Sequence, residues 1–159
     1  VVNAVYNQAN MVLVVLDNST TAMTGHQPHP GTGRTVMGEI VQKINIEQVL
    51  RGIGVTEIET INPLELEATV SCVKRMAEKS GVRAIIFKAP CIAVTKPKAP
   101  LHVDQDSCIG CKKCIRDLGC PAIVMNDGKI CIDASMCTGC HLCSQVCPVC
   151  AIAGGDDHE

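Results

Sequence analysis

The chain has 159 residues, with twelve cysteines, one tyrosine, one phenylalanine and no tryptophan, and 14 Lys+Arg against 16 Asp+Glu leave a net charge of −2. That balance lacks the basic face a nucleic-acid binder needs, and so few rings offer no stacking platform for single strands. The strongest apolar run, Met11 to Leu16, falls far short of the ~20 residues of a membrane span; no secretory or transit segment is visible and the first residue is Val1, so the chain reads as soluble and as the C-terminal part of something longer.

Met11 to Asp17 is a continuous apolar run ending in an acid, the pattern of a fully buried parallel strand. A long polar loop follows. Asn45-Ile46-Glu47-Gln48 then predicts a capped helix start, with the stop near Gly52 or Gly54. Val55 to Ile61 predicts a second strand. Asn62-Pro63-Leu64-Glu65 predicts a second helix start with proline in its first position. Leu66, Val70, Val73 and Ala77 are spaced to line one face of that helix, and Gly81 ends it. Val82 to Phe87 predicts a third buried strand. Strands alternating with helices predict an α/β domain with a parallel sheet over residues 1–95. Residues 96–100 read as a linker, because Pro97 and Pro100 block helix and central strand alike.

Ten of the twelve cysteines lie between Cys108 and Cys150. Residues 1–100 carry ten basic and eight acidic groups, whereas the remainder carries four and eight. This tail, residues 101–159, is an internal repeat. Cys108, Cys111 and Cys114 recur 29 residues on as Cys137, Cys140 and Cys143, and Cys120-Pro121 recurs as Cys147-Pro148, with Gly110 and Gly139 at matching places. A unit this short cannot bury its own core and needs something else inside it. Three chemistries compete for the thiols. Disulfides suit the even count, but cysteines at every third position point into one small volume where they cannot pair neatly. Structural zinc uses two separated Cys pairs, leaving the third thiol of each run surplus. Iron–sulfur ligation uses every one: three close thiolates take three corners of a cubane, and the remote Cys-Pro takes the fourth iron of the other cluster. One [4Fe–4S] cluster then falls to Cys108, Cys111, Cys114 and Cys147, the other to Cys137, Cys140, Cys143 and Cys120. The first copy has five residues rather than three before its last cysteine, and the two extra can bulge out. Cys131 reads as a small buried residue, Cys150 as an apolar filler at the place of Ile123, and Cys72 and Cys91 stand too far apart for a cluster. Residues 101–153 resemble the bacterial-type ferredoxins with two [4Fe–4S] clusters, which implies a small α+β domain.

The loop after the first strand, from Leu16 to Gly33, is rich in Gly, Pro, Thr and His. Loops beyond the carboxyl ends of parallel strands are where ligands bind, and long ordered loops tend to be functional. By composition alone this one suits either Mg²⁺ with a phosphate or a polar surface turn. The run LDNSTTAMTGHQPHPGTG resembles the thiamine diphosphate-binding segment of the indolepyruvate ferredoxin oxidoreductase family, large (alpha) subunit, which also ends in a two-cluster ferredoxin module. The resemblance implies that the Asn18 side chain and the Thr20 carbonyl hold the Mg²⁺ of thiamine diphosphate. It implies that Thr24, Gly25 and Gln27 lie near that cofactor, and that an aspartate ligand precedes Val1. It further implies oxidative decarboxylation of a 2-oxo acid to acyl-coenzyme A, with electrons passed through the clusters to an external ferredoxin. A second (beta) subunit follows from the same likeness, and thiolate ligands of oxygen-labile cubanes need a reducing compartment, which predicts a cytoplasmic setting. Two other readings stay open: a plain ferredoxin-like carrier with a non-catalytic N-terminal extension, and a pyruvate or 2-oxoglutarate ferredoxin oxidoreductase.

Overall fold

In the computed structural model, which describes residues 1–154, the chain falls into two units that part between Thr95 and Lys96. The first opens with a short helix, α1 (Val2–Tyr6), followed by strand β1 (Met11–Asp17). The polar loop leads to helix α2 (Ile46–Gly52), strand β2 (Glu57–Ile61), helix α3 (Leu66–Glu78) and strand β3 (Val82–Lys88). The three strands are parallel in the order β1-β3-β2. Period-two alternation along β3 sends its residues to two cores. On one face Ala84 and Ile86 pack with Leu50 and Val55, joined by Val5, Leu13 and Ile58. On the other, Ile85 packs with Cys72 and Met76, joined by Val12, Ile61 and Phe87.

Three sequence expectations need correction here. β1 is not fully buried: it is an edge strand among the described residues, with Val14 49% and Leu16 76% exposed. Helix α3 starts at Leu66, later than expected, because Asn62 folds its own turn first. Its Oδ1 accepts from the Leu64 amide at 3.1 Å and its carbonyl accepts from the Glu65 amide, a competing use of an Asn side chain. The buried face of α3 is also not the predicted one. Cys72 and Met76 are inside, while Val70, Val73 and Ala77 are exposed. Both stripes have helical spacing, so spacing cannot choose between them. The predicted cap of α2 is present, with Asn45 Oδ1 accepting from the Gln48 amide at 3.1 Å.

The second unit begins at Lys96. Its elements are β4 (Leu101–Val103), α4 (Lys113–Leu118), β5 (Ile123–Asn126), β6 (Lys129–Ile132), α5 (Leu142–Val146) and β7 (Ile152–Gly154). Strand β4 pairs antiparallel with β7, and β5 with β6. Asp127 and Gly128 both have positive φ between β5 and β6, as a two-residue hairpin turn requires. The repeat is visible in the backbone. The Asp104 amide donates to the Ala151 carbonyl and the Asp133 amide to the Ala122 carbonyl, both at 2.8 Å. Ala151 is therefore the counterpart of Ala122, and buried Ile152 that of buried Ile123. This corrects the expected equivalence of Cys150 with Ile123: Cys150 is exposed, at φ +52°. The two extra residues before Cys120 do not bulge. α4 is one residue longer than α5 and ends on a left-handed Gly119, which absorbs them.

Candidate metal centres and cofactor loop

Each Cys-x2-Cys-x2-Cys run wraps into a loop that feeds a short helix. Positive φ at Gly110 and Lys112, and at Gly139 and His141, turns the backbone at matching points. The third cysteine of each run, Cys114 or Cys143, enters its helix and is buried. The chain thus brings sulfurs inward that a linear spacing only lists.

Two sets of thiols gather. Cys108, Cys111, Cys114 and Cys147 line one cavity together with Val103, Ile109, Ile130, Pro148 and Ile152. Burial raises the Cys114 thiol pKa, and the Cys111 and Cys147 sulfurs add to the rise. The second set is marked by Cys143. Burial pushes its thiol up to about 11, with further upward pressure from Cys140, Cys137 and Cys120. Each set therefore joins three cysteines of one run to the Cys-Pro cysteine of the other copy. Backbone amides point at two of the sulfurs: Leu101 N–H to Cys137 Sγ at 3.4 Å and Ala151 N–H to Cys147 Sγ at 3.3 Å. Such donors favour a thiolate and tune the potential of a cluster held there.

Among the described residues, no three His, Cys, Asp or Glu side chains converge tightly enough to hold a single metal ion. The donor set, eight thiols in two sets of four, fits the ligand requirement of two [4Fe–4S] groups. Cys131 sits half-buried on β6 rather than buried as expected, and neither it nor Cys150 lines the first cavity.

In the first unit, the loop after β1 is tied across the carboxyl end of the sheet. The Ala89 amide donates to the Asp17 carbonyl and the Cys91 amide to the Asn18 carbonyl at 2.9 Å. Asn18 Oδ1 accepts from the Thr20 amide at 3.2 Å, closing a tight turn with Ser19 at φ +64°. Thr20 is buried. The turn brings the Asn18 amide oxygen and Thr20 into one small region, and an amide oxygen has a second lone pair for a cation. Thr24 and Gln27 are occupied with each other: Thr24 Oγ1 donates to Gln27 Oε1 at 2.6 Å, and the Gln27 amide donates back to the Thr24 carbonyl. Gly25 between them takes φ +98°. These three residues shape the loop, while Asn18 and Thr20 form the turn that directly follows β1.

A cleft of about 480 Å³ opens at the carboxyl ends of all three strands, lined by Asp17, Ser19, Thr60 and Lys88 from the sheet side and by Lys43, Asn45 and Gln48 from the approach to α2. Sequence reasoning missed Lys43 and Lys88. Their signal was positional: one closes β3 and the other precedes the α2 cap, so both reach the edge where parallel sheets bind ligands.

Residues 1–87 match the family described as the thiamine pyrophosphate enzyme, C-terminal TPP binding domain. The chain belongs to that family. Residues 101–148 match the 4Fe-4S dicluster domain. The chain is 46% identical over 153 residues to the indolepyruvate oxidoreductase subunit IorA of Methanothermobacter thermautotrophicus, covering 95% of this chain and 25% of the relative. It is 40% identical over 157 residues to that of Archaeoglobus fulgidus, again 95% of this chain and 25% of the relative. The likeness to the subunit from Thermococcus kodakarensis is 41% over 163 residues, or 92% and 24%. The chain thus spans about a quarter of the length of the curated relatives it matches. No solved structure matches it. Among the described residues, no helix is long and apolar enough to cross a membrane.

Proposed function

We propose that this chain forms part of a 2-oxo-acid ferredoxin oxidoreductase of the indolepyruvate type, the part that anchors the diphosphate of thiamine diphosphate and relays electrons. The observation that carries this reading is the pairing of two gathered thiol quartets with a tight Asn18–Thr20 turn at the carboxyl end of a parallel sheet. A carrier has no use for the second feature. The indolepyruvate naming of the relatives supports an aryl-pyruvate substrate, and their naming as subunits supports a second subunit.

Bound at the loop, thiamine diphosphate supplies the carbanion chemistry that releases carbon dioxide from a 2-oxo acid, and the iron–sulfur groups supply one-electron steps. The chain's own residues do the rest. Asn18 Oδ1 and the Thr20 carbonyl hold the Mg²⁺ that fixes the diphosphate. Lys43 and Lys88 set a cationic field over the cleft, and Thr24, Gly25 and Gln27 keep the loop in shape. Cys108, Cys111, Cys114 and Cys147 hold one [4Fe–4S] group, and Cys137, Cys140, Cys143 and Cys120 the other. Coenzyme A captures the acyl product, and an external ferredoxin takes the electrons. A reducing cytoplasmic compartment suits the thiolates.

Anaerobically purified protein is expected to hold about eight iron and eight sulfide and to give an EPR signal after dithionite. The complete enzyme is expected to reduce ferredoxin only with indolepyruvate, coenzyme A and thiamine diphosphate all present. About two zinc without sulfide, or reduction independent of thiamine diphosphate, overturns the reading.

A further inference from the structure

The two halves of the repeat share a backbone but not a covering. Around the second thiol set, the segment before β4 lies on the cysteine loop. The Lys98 amide donates to the Thr138 carbonyl, and a Cβ on Gly139 would sit 2.6 Å from Lys98 Cβ and 2.7 Å from the Ala99 carbonyl oxygen. Gly139 is buried. At the matching place in the first copy, a Cβ on Gly110 would meet nothing within 4 Å, Cys111 is exposed and Ile109 is 65% exposed.

The two loops also differ in charge. Lys112 and Lys113 directly follow Cys111 and Arg116 lies one helical turn on, and all three are exposed. Their counterparts around Cys140 are His141, Leu142 and Gln145. Only one further basic residue, Lys129, occurs after residue 100. Arg116 Nη2 reaches back to the Cys111 carbonyl at 3.4 Å, which lays the guanidinium over the loop. Asp117 is the one acid within α4. The bare loop and the basic cluster coincide in one copy and are both missing from the other.

We propose that the exposed loop 109–113, with Arg116, is the docking surface for an acidic one-electron carrier protein, and that electrons leave the chain through the thiol set Cys108, Cys111, Cys114 and Cys147. This rests on the proposed reading of the thiols as [4Fe–4S] ligands. Each transfer moves one electron: the reduced cluster returns to its oxidised state, the carrier's iron–sulfur centre is reduced, and no bond or proton changes place. Tunnelling falls exponentially with distance, so the thiol set with the thinner protein cover is the faster exit. A cluster bound by four thiolates is a net anion, and the three cations beside it stabilise its reduced form. Electrons therefore run toward this site from the other. The same cations meet the carrier's carboxylates, which raises the encounter rate in a salt-dependent way.

The test uses the complete enzyme with both subunits. Lys112→Glu/Lys113→Glu is compared with wild type and with Lys98→Glu, which reverses a charge over the covered loop. With an acidic bacterial-type ferredoxin as acceptor, the double variant is expected to lose about tenfold or more in kcat/KM at low ionic strength, the gap closing as salt rises. Titration of oxidised ferredoxin onto the resting enzyme is expected to show the same weakening. Iron content, subunit assembly and reduction of a small viologen dye are expected to stay at wild-type levels, and Lys98→Glu to behave as wild type throughout. Equal ferredoxin kinetics in wild type and double variant overturn the proposal, as does a larger effect from Lys98→Glu. Loss of subunit assembly in the double variant also overturns it, by making this face a subunit contact. Missing iron or missing viologen reduction in the wild type instead refutes the functional reading beneath it.

Discussion

Gly110 and Gly139 form a matched pair that isolates the covering of the second cysteine loop. Both take φ near +65°, so an alanine at either place costs the left-handed penalty of about 1–2 kcal/mol. At Gly110 nothing else opposes the new methyl. At Gly139 it meets Lys98 Cβ at 2.6 Å and the Ala99 carbonyl oxygen at 2.7 Å, both part of the backbone or next to it. That segment must move, which breaks the Lys98 N–H to Thr138 carbonyl bond of 3.3 Å, a further loss of about 0.5–1.5 kcal/mol. Gly139→Ala should thus cost about 1.5–3.5 kcal/mol in all. The readout is the rate at which iron–sulfur absorbance is lost at a fixed denaturant concentration under argon. An extra 1 kcal/mol is about a fivefold faster loss, so Gly139→Ala should bleach at least a few times faster than Gly110→Ala. Equal rates refute the claim that the Lys98–Ala99 segment is seated on this loop.

Cys111→Ala is expected to lose about half the iron and Cys131→Ala none, by iron analysis and EPR; loss of a cluster in the second variant means the ligands are misassigned. Asn18→Ala in the complete enzyme should weaken Mg²⁺-dependent binding of thiamine diphosphate by about tenfold or more, seen by calorimetry, with iron content unchanged. Arg83 is buried at 4% exposure and donates through Nη1 to Asn10 Oδ1 and to the Lys79 carbonyl past the end of α3. Arg83→Met should therefore lower the stability of the first unit by about 1–3 kcal/mol, read from a urea midpoint. The Ser107 hydroxyl, with the Asp106 amide, holds the Asp104 carboxyl below its ordinary pKa, and the Ser135 hydroxyl and amide do the same for Asp133. A depressed pKa stabilises the fold above the unfolded value and loses that effect as pH falls through the folded one. The second unit should weaken below about pH 4, and Ser107→Ala/Ser135→Ala should flatten that decline in a circular-dichroism titration.

How much of this was legible in the sequence follows from how local each cause is. The thiol quartets could be read because three cysteines at every third position are a local constraint, and the duplicated Cys-Pro supplies the remote partner. The strand–helix alternation was legible for the same reason: six apolar residues followed by Asp17, and a cap at Asn45, each act within one element. The buried face of α3 was not, because Leu66-Val70-Val73 and Leu66-Thr69-Cys72-Met76 are both helical stripes and only the sheet beneath decides. The edge position of β1 was hidden too, since strand order is a long-range property. The Asn62 turn shows a short polar side chain outcompeting a helix start that its neighbours Pro63 and Glu65 advertise.

The covering of the second loop was the least legible feature and has the largest consequence. Lys98 and Ala99 lie between two prolines, a context that reads as linker, yet Gly139 has no side chain to hold them off and the Thr138 carbonyl gives them a partner. A duplicated pair of cysteine loops starts out symmetric, and a symmetric pair gives electrons no preferred direction. On the proposed reading, a backbone segment packed onto one loop would lengthen the path out through its thiol set, while the three cations beside the bare loop would favour an acidic partner and stabilise an electron on the other set. Direction in the proposed relay would then be set by residues that ligate no metal, and reversing Lys112 and Lys113 is expected to alter it without touching a single thiol.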